Sequence, residues 1–184
     1  MSLVWLIRCS FIGALVVTVL APGCGKPKGE QASPPVRRTA TPAPAGTGPG
    51  SGLADKAKAV EQARKLGTGT EQPLVTTSSG LQYIEVVEGS GKQVQKGSVV
   101  DVDYTGWLVT GFVFDSSLQR RESFSFKVGA GNVIKGWDEG LVGMKAGGIR
   151  KLIIPAELGY GDRGTPSIPP GATLIFEVIA RRVL

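Results

Sequence analysis

The residues best suited to chemistry in this chain are aromatic, and they recur in short motifs broken by glycine. In chain order they are Tyr104-Thr105-Gly106, Phe114-Asp115-Ser116-Ser117, Phe124, Val133-Ile134-Lys135-Gly136-Trp137, Tyr160-Gly161, Ile168-Pro169-Pro170 and Phe176. Such residues build a concave apolar pocket with few polar groups, the usual form of a small-ligand or peptide site. Asp115 and Tyr160 are the polar members that can reach a reacting group. Each also has a plainer reading, since Asp115 suits a turn before Ser116-Ser117 and Tyr160 suits an ordinary loop. Trp137 taken alone reads as core, as aromatics on apolar helix faces usually do. The chain has no histidine. His-ligated metal sites and Ser-His or Cys-His nucleophiles are thereby excluded. Cys9 and Cys24 both precede the motifs, so no disulfide framework or CxxC pair sits among them.

Strands and one short helix must position these groups. Leu81 to Val87 reads as a strand, followed by a Gly89-Ser90-Gly91-Lys92 turn. Val100, Val102 and Tyr104 share one face, and Asp101 and Asp103 the other. That period of two marks a half-buried antiparallel strand. Thr110-Gly111 turns the chain into Phe112 to Phe114, and Phe124, Phe126 and Val128 alternate with Ser125 and Lys127. Asn132 is placed as a helix N-cap, with Val133, Ile134, Trp137 and Leu141 on one helical face. Gly136 and Gly140 keep that helix short, and Gly143 ends it. Ile149 to Ile154 is a strand stopped by Pro155, and Thr173 to Ile179 closes the sheet. The expected class is α+β, with about five antiparallel strands and one short helix covering a sheet face.

Taken together, in this order and spacing, the motifs resemble those of the FKBP-type peptidyl-prolyl cis-trans isomerases, from about Leu81 to Leu184. The resemblance implies an antiparallel half-barrel of five to six strands wrapped around one short helix. It implies Trp137 as the pocket floor beneath a proline ring, with Tyr104, Phe114, Phe124, Val133, Ile134 and Phe176 as walls. The main-chain N–H of Ile134 and the hydroxyl of Tyr160 would hold substrate carbonyls. Asp115 matches the carboxylate near the reacting imide, and Ile168 lies on the loop over the pocket. The implied partners are proline-containing polypeptides and tacrolimus-like macrolides. The chain departs from the family pattern at Asp162–Ser167, a loop one residue shorter and without the histidine of many members. Arg120 matches a common basic position, although Leu118-Gln119 before it is less typical.

The implied reaction rotates an X-Pro bond against a barrier of about 18–20 kcal/mol. No bond is made or broken, so no nucleophile, metal or cofactor is required. Asp115 is accordingly read as interacting with the twisted imide or holding Tyr104, and not as a general base. A second reading uses the same pocket as a proline-segment binding module or chaperone tethered to a membrane, with catalysis incidental.

The formal charge of +6 is unevenly placed. Residues 1–73 hold 9 basic and 4 acidic side chains, and residues 74–184 hold 12 and 11. The motif-bearing part therefore lacks the basic stripe of a nucleic-acid binder. Arg8, the apolar run Phe11 to Leu20 and the small exit Ala21-Pro22-Gly23 describe a secretory signal peptide. The run falls short of the about 20 apolar residues of a permanent span. Ala21-Pro22-Gly23-Cys24 also resembles a bacterial lipobox, with Pro22 as the departure. In that reading Cys24 carries a lipid and becomes the mature N-terminus; in the other it is incidental. Lys26 to Gly52, rich in Pro, Gly, Ala, Ser and Thr, reads as a disordered tether. Leu53 to Leu66 holds helix formers with a thin apolar stripe of Leu53, Ala57, Val60 and Leu66; it docks on the domain, pairs with another chain or, as the favoured reading, stays solvated and fraying. The expected organisation is a signal peptide over 1–23, a linker with a short helix over 24–73, and an isomerase domain over 74–184. The expected location is the cell envelope, anchored to a membrane and facing the periplasm or exterior.

Overall fold

A computed structural model of the chain describes residues 52–184, with side chains from Lys56 onward. The signal segment, Cys24 and the tether up to Ser51 lie outside the described residues. The elements are α1 (Gly52–Lys65), β1 (Leu74–Thr76), β2 (Gln82–Val87), β3 (Val99–Leu108), β4 (Val113–Ser116), α2 (Ser117–Arg120), β5 (Phe124–Lys127), α3 (Lys135–Gly140), β6 (Ile149–Ile154) and β7 (Leu174–Val183). No helix among the described residues is long and apolar enough to cross a membrane.

One antiparallel sheet of 7 strands runs in the order β1-β2-β6-β7-β3-β4, with β5 also paired to β3. The α+β expectation holds, with a larger sheet than the five or six strands anticipated. The extra strand, β1, is only 3 residues long, too short to display an alternation. The outer edge of β3 is shared. Val99 to Val102 pairs with β5, and Thr105 to Trp107 pairs with β4. Phe124 and Asp115 therefore bracket Tyr104 along one edge.

The helix expected from an Asn132 cap starts later. Asn132 is exposed, Ile134 occupies the cap position at φ −58° and ψ 148°, and no side chain caps the helix. Asp138, in the first turn, is bonded back to the preceding loop, accepting from the Gly129 and Gly131 amides. Gly136 and Gly140 do more than shorten α3. A Cβ on Gly136 would stand 2.5 Å from Ile154 Cγ2, and one on Gly140 2.8 Å from Leu152 Cδ2. Both glycines let the helix lie directly on β6. The principal core fills this interface, with Trp137, Leu141, Leu152, Ile154, Phe176 and Val178 buried together.

The opposite face of the sheet is covered as well, by the N-terminal helix in its docked alternative and not the solvated one favoured from sequence. Ala59 and Ala63 of α1 are fully buried against Trp107, Ile153 and Ile175, with Val60 and Leu66 at the margin. The buried stripe runs through alanines, and Ala57 is exposed. The folded unit thus begins at α1, not at Leu74.

Two adjacent cations on β6 secure these layers. Arg150 and Lys151 point to opposite faces, as successive strand residues must. Arg150 Nη1 donates to the carbonyls of Gly140 (2.7 Å) and Val142 (3.1 Å), closing the C-terminal end of α3, while its Nε reaches Glu85 at 2.7 Å. Lys151, fully buried, donates to the carbonyls of Ala63 (2.9 Å), Leu66 (2.5 Å) and Thr68, closing the end of α1. Glu177, its cross-strand partner, lies 3.7 Å from the ammonium and accepts from the Thr68 amide at 2.6 Å. Desolvation lowers the Lys151 pKa, opposed by Glu177.

Asp103 also differs from its expected place on a solvent face. It is buried, and accepts from Ser123 Oγ and Arg181 Nε, both at 2.6 Å. Burial pushes the carboxyl up, but the bonds from Ser123 and Arg181 outweigh it and hold it below the ordinary carboxylate range.

Two outcomes follow for stability. Lys151→Met should lower the free energy of unfolding by about 2–4 kcal/mol, because three helix-end carbonyls and Glu177 lose their donor; urea denaturation reads the loss, and an unchanged midpoint would contradict the docking of α1. A carboxyl whose folded pKa is depressed stabilises fully above its unfolded value and loses that contribution as pH falls through the folded one. The stability gap between wild type and Asp103→Asn should therefore narrow below about pH 4, measured by denaturation at a series of pH values; a gap that stays constant to acid would be inconsistent with the ion pair.

Candidate functional site

Tyr104, Trp137 and Phe176 come from β3, α3 and β7, and all three are at most 2% exposed. The indole of Trp137 is met edge-on by Tyr104 (centroids 5.0 Å, interplanar 83°) and by Phe176 (5.2 Å, 83°). Phe126 and Phe124 approach it at 5.6 and 6.1 Å. Edge-to-face contact places the positive rim of one ring on the negative face of another, and so fixes orientation as well as burying area. Phe114 extends the wall, edge-on to Phe176 at 5.4 Å. Gly106 pairs with Phe176 across β3 and β7. A Cβ there would stand 2.7 Å from Phe114 Cζ and 2.8 Å from Phe176 Cε1. The glycine of the Tyr104-Thr105-Gly106 motif is the space in which those two rings meet.

One edge of the aromatic cluster is polar. Tyr104 Oη donates to Asp115 Oδ2 at 2.6 Å, Arg120 Nη1 donates to Asp115 Oδ1, and Arg120 Nη2 donates to Tyr104 Oη at 2.7 Å. Burial, reinforced by the hydrogen bond to Asp115, pushes the Tyr104 pKa up, so the phenol stays protonated at neutral pH. Burial works against the Arg120 cation, and the bonds with Tyr104 and Asp115 outweigh it and raise its pKa. Short α2 delivers Arg120 to this position. The two serines before it anchor the turn, with Ser117 Oγ accepting from the Tyr104 amide at 2.8 Å and Ser116 Oγ 3.0 Å from Thr105 Oγ1. Trp137 Nε1 is buried without a hydrogen-bond partner among the described residues.

Val133 and Ile134 line the loop into α3, at 2% and 8% exposure. Ile168 is buried too, held in its loop by reciprocal main-chain bonds with Thr165 of 2.8 and 3.1 Å. Tyr160 is half-buried and packs on the same core. Beside it opens a cleft of about 360 Å³, lined also by Lys135, Glu157, Asp162 and Arg163. Asp162 and Arg163 of the following loop, with Lys135 and Glu157, thus stand next to Tyr160.

The structure gathers Tyr104, Phe114, Phe124, Val133, Ile134, Trp137, Tyr160, Ile168 and Phe176 around one core, with Asp115 bonded to it through Tyr104. Cys24 lies outside the described residues. Arg120, matched from sequence to a common basic position of the family, completes the polar edge. Phe126 was not assigned to the site from sequence and touches the indole. The alternation of Phe124 and Phe126 on one strand face was a signal for it.

Comparison with known proteins identifies the family and the fold. The family model for the FKBP-type peptidyl-prolyl cis-trans isomerase matches residues 90–179. The chain is similar to the FK506-binding protein of Neisseria meningitidis serogroup B, 57% identical over 100 residues, which cover 54% of this chain and 92% of that protein. Among solved structures, FkpA from Escherichia coli aligns at 41% identity with a TM-score of 0.59, over 71% of this chain and 60% of that one. AtFKBP13 aligns at 38% identity and a TM-score of 0.58, over 61% of this chain and 99% of that one.

Gly106→Ala should fold but crowd Phe114 and Phe176 into the pocket. The expected result is an unchanged far-ultraviolet circular dichroism spectrum with X-Pro exchange slowed at least about tenfold, as for other ångström-scale misplacements. Undiminished exchange in the folded variant would remove Phe114 and Phe176 from the site.

Proposed function

This chain belongs to the FKBP-type peptidyl-prolyl cis-trans isomerases and accelerates rotation about X-Pro bonds, and from that premise we propose that the pocket over Trp137 is its active site. The observation that carries the proposal is the indole met edge-on by Tyr104 and Phe176, with Asp115 and Arg120 paired at the Tyr104 edge of the cluster. A proline ring fits the apolar floor. The preceding carbonyls take the Ile134 main-chain N–H and the Tyr160 hydroxyl.

Amide resonance gives the planar forms their charge separation, and water stabilises that separation through the imide oxygen. Moving the imide into an apolar pocket removes this stabilisation, while the twisted form, with its resonance lost, gives up less. A thousandfold acceleration needs about 4 kcal/mol of such differential stabilisation. Asp115 has both oxygens engaged, by Tyr104 and Arg120. That arrangement supports a role in orienting the phenol and fixing the field at the pocket edge, with no proton removed from substrate. The same apolar surface suits tacrolimus-like macrolides. The leader and the lipobox-like Cys24 support export and lipid anchoring, so the clients proposed are exported polypeptides.

The test is exchange of a short proline peptide by the protein, with and without tacrolimus, beside the variant Phe114→Ala, Trp137→Ala. Wild type should accelerate exchange and be inhibited, and the folded variant should lose most of the acceleration. Tacrolimus binding without acceleration would instead identify a proline-segment binding module. Full activity in the folded variant would place the active site elsewhere.

A further inference from the structure

The loop between β5 and α3 supplies two walls of the pocket, Val133 and Ile134, and one side chain ties it down. Asp138 Oδ1 accepts from the Gly129 amide at 2.7 Å, and Oδ2 accepts from the Gly131 amide at 2.9 Å. Both glycines have left-handed backbones, with φ of 76° and 72°, the conformation glycine adopts most freely and holds least firmly by itself. Asp138 directly follows Trp137 in the first turn of α3. Its own amide returns a bond to the Ile134 carbonyl at 3.3 Å, beside the 2.9 Å bond from the Trp137 amide. A closed circuit results. It runs from the carboxylate to the loop amides, through Val133 to Ile134, and back through the first turn. The floor and the loop wall are therefore fixed to each other by the same residue.

We propose that Asp138 is a positioning residue of the isomerase, setting the height of Val133 and the Ile134 N–H above Trp137. The proposal rests on the reading of this pocket as the active site. Asp138 touches no substrate and acts through the loop. A carboxylate suits the task because it only accepts, and two amides donate to it; charged acceptors also make the stronger bonds. Asparagine keeps the volume but has one accepting oxygen, and turns an NH₂ toward the second donor.

The experiment compares wild type with Asp138→Ala, Asp138→Asn and Asp103→Ala. Asp103 is a buried carboxylate bonded to Ser123 and Arg181 and lies outside the pocket. It controls for lost stability. Melting temperatures are measured first, and kcat and KM for proline-peptide exchange are then taken well below the lowest of them. Losing a carbonyl anchor shared by ground and transition states raises KM with kcat largely kept. Asp138→Ala should raise KM about tenfold, the size of a misplaced binding contact, with kcat changed less than about threefold. Asp138→Asn should shift KM in the same direction, and it carries the test if the alanine variant does not fold. Asp103→Ala should melt lower with kcat and KM unchanged. If the Asp138 variants melt lower yet keep wild-type KM and kcat, Asp138 is only structural and the proposal is wrong. A wild-type protein that accelerates nothing overturns the reading of the pocket itself, a result distinct from failure of the Asp138 assignment.

Discussion

Successive residues on a strand face opposite ways, and in β6 this puts Arg150 beneath the end of α3 and Lys151 beneath the end of α1. The last carbonyls of a helix have no intrahelical donors and must find others. Here each helix finds them in a cation rising from the sheet it covers, at distances of 2.5 to 3.1 Å where Gly140, Val142, Ala63 and Leu66 accept. The favourable placement of positive charge at helix C-termini adds to the bonds. Burying a cation is costly unless its donors are satisfied. The two residues therefore commit the chain to one register and one placement of each helix. Shifting β6 by one residue would turn each cation to the wrong face.

That commitment is what makes the pocket rigid. Leu152 pairs with Phe176 across β6 and β7, next to the Lys151–Glu177 pair. The floor residue Trp137 sits in a helix drawn onto the sheet by Gly136 and Gly140. Tyr104 and Phe176 meet it edge-on, and Phe126 lies tilted against it at 47°. The polar edge is internally neutral, a carboxylate, a guanidinium and a protonated phenol bonded to one another.

The half of the fold built on strict alternation was legible in the sequence. Val100, Val102 and Tyr104 declared β3, and β6, which does not alternate, was bounded at Ile149 to Ile154 by the Pro155 stop. The pocket was legible for a related reason, because its walls are inward positions of those strands and the Trp137 helix begins among apolar residues. The back of the sheet was not. Its covering helix buries Ala59 and Ala63, which carry little hydrophobic signal, and leaves the charged residues of α1 in view. Lys151 ordinarily marks a solvent face, yet it is buried because the end of a helix 83 to 88 residues earlier supplies its acceptors. Such pairing is a tertiary fact that no window of sequence contains. Asp103 was misplaced for the same reason, its partner Arg181 being 78 residues away. Asn132 is not the cap because the helix starts at Lys135, with Ile134 in the cap position.

The covered back face also bears on how the protein presents its pocket. The family match begins at residue 90, so α1 lies outside it. Nevertheless α1 shares a core with Trp107, Ile153 and Ile175, on the face of the sheet opposite Trp137. Ile175 and Phe176 are neighbours on β7, one facing α1 and the other facing the indole. The helix that follows the N-terminal segment is thus seated on the face of the sheet opposite the Trp137 cluster, with β6 and β7 between them.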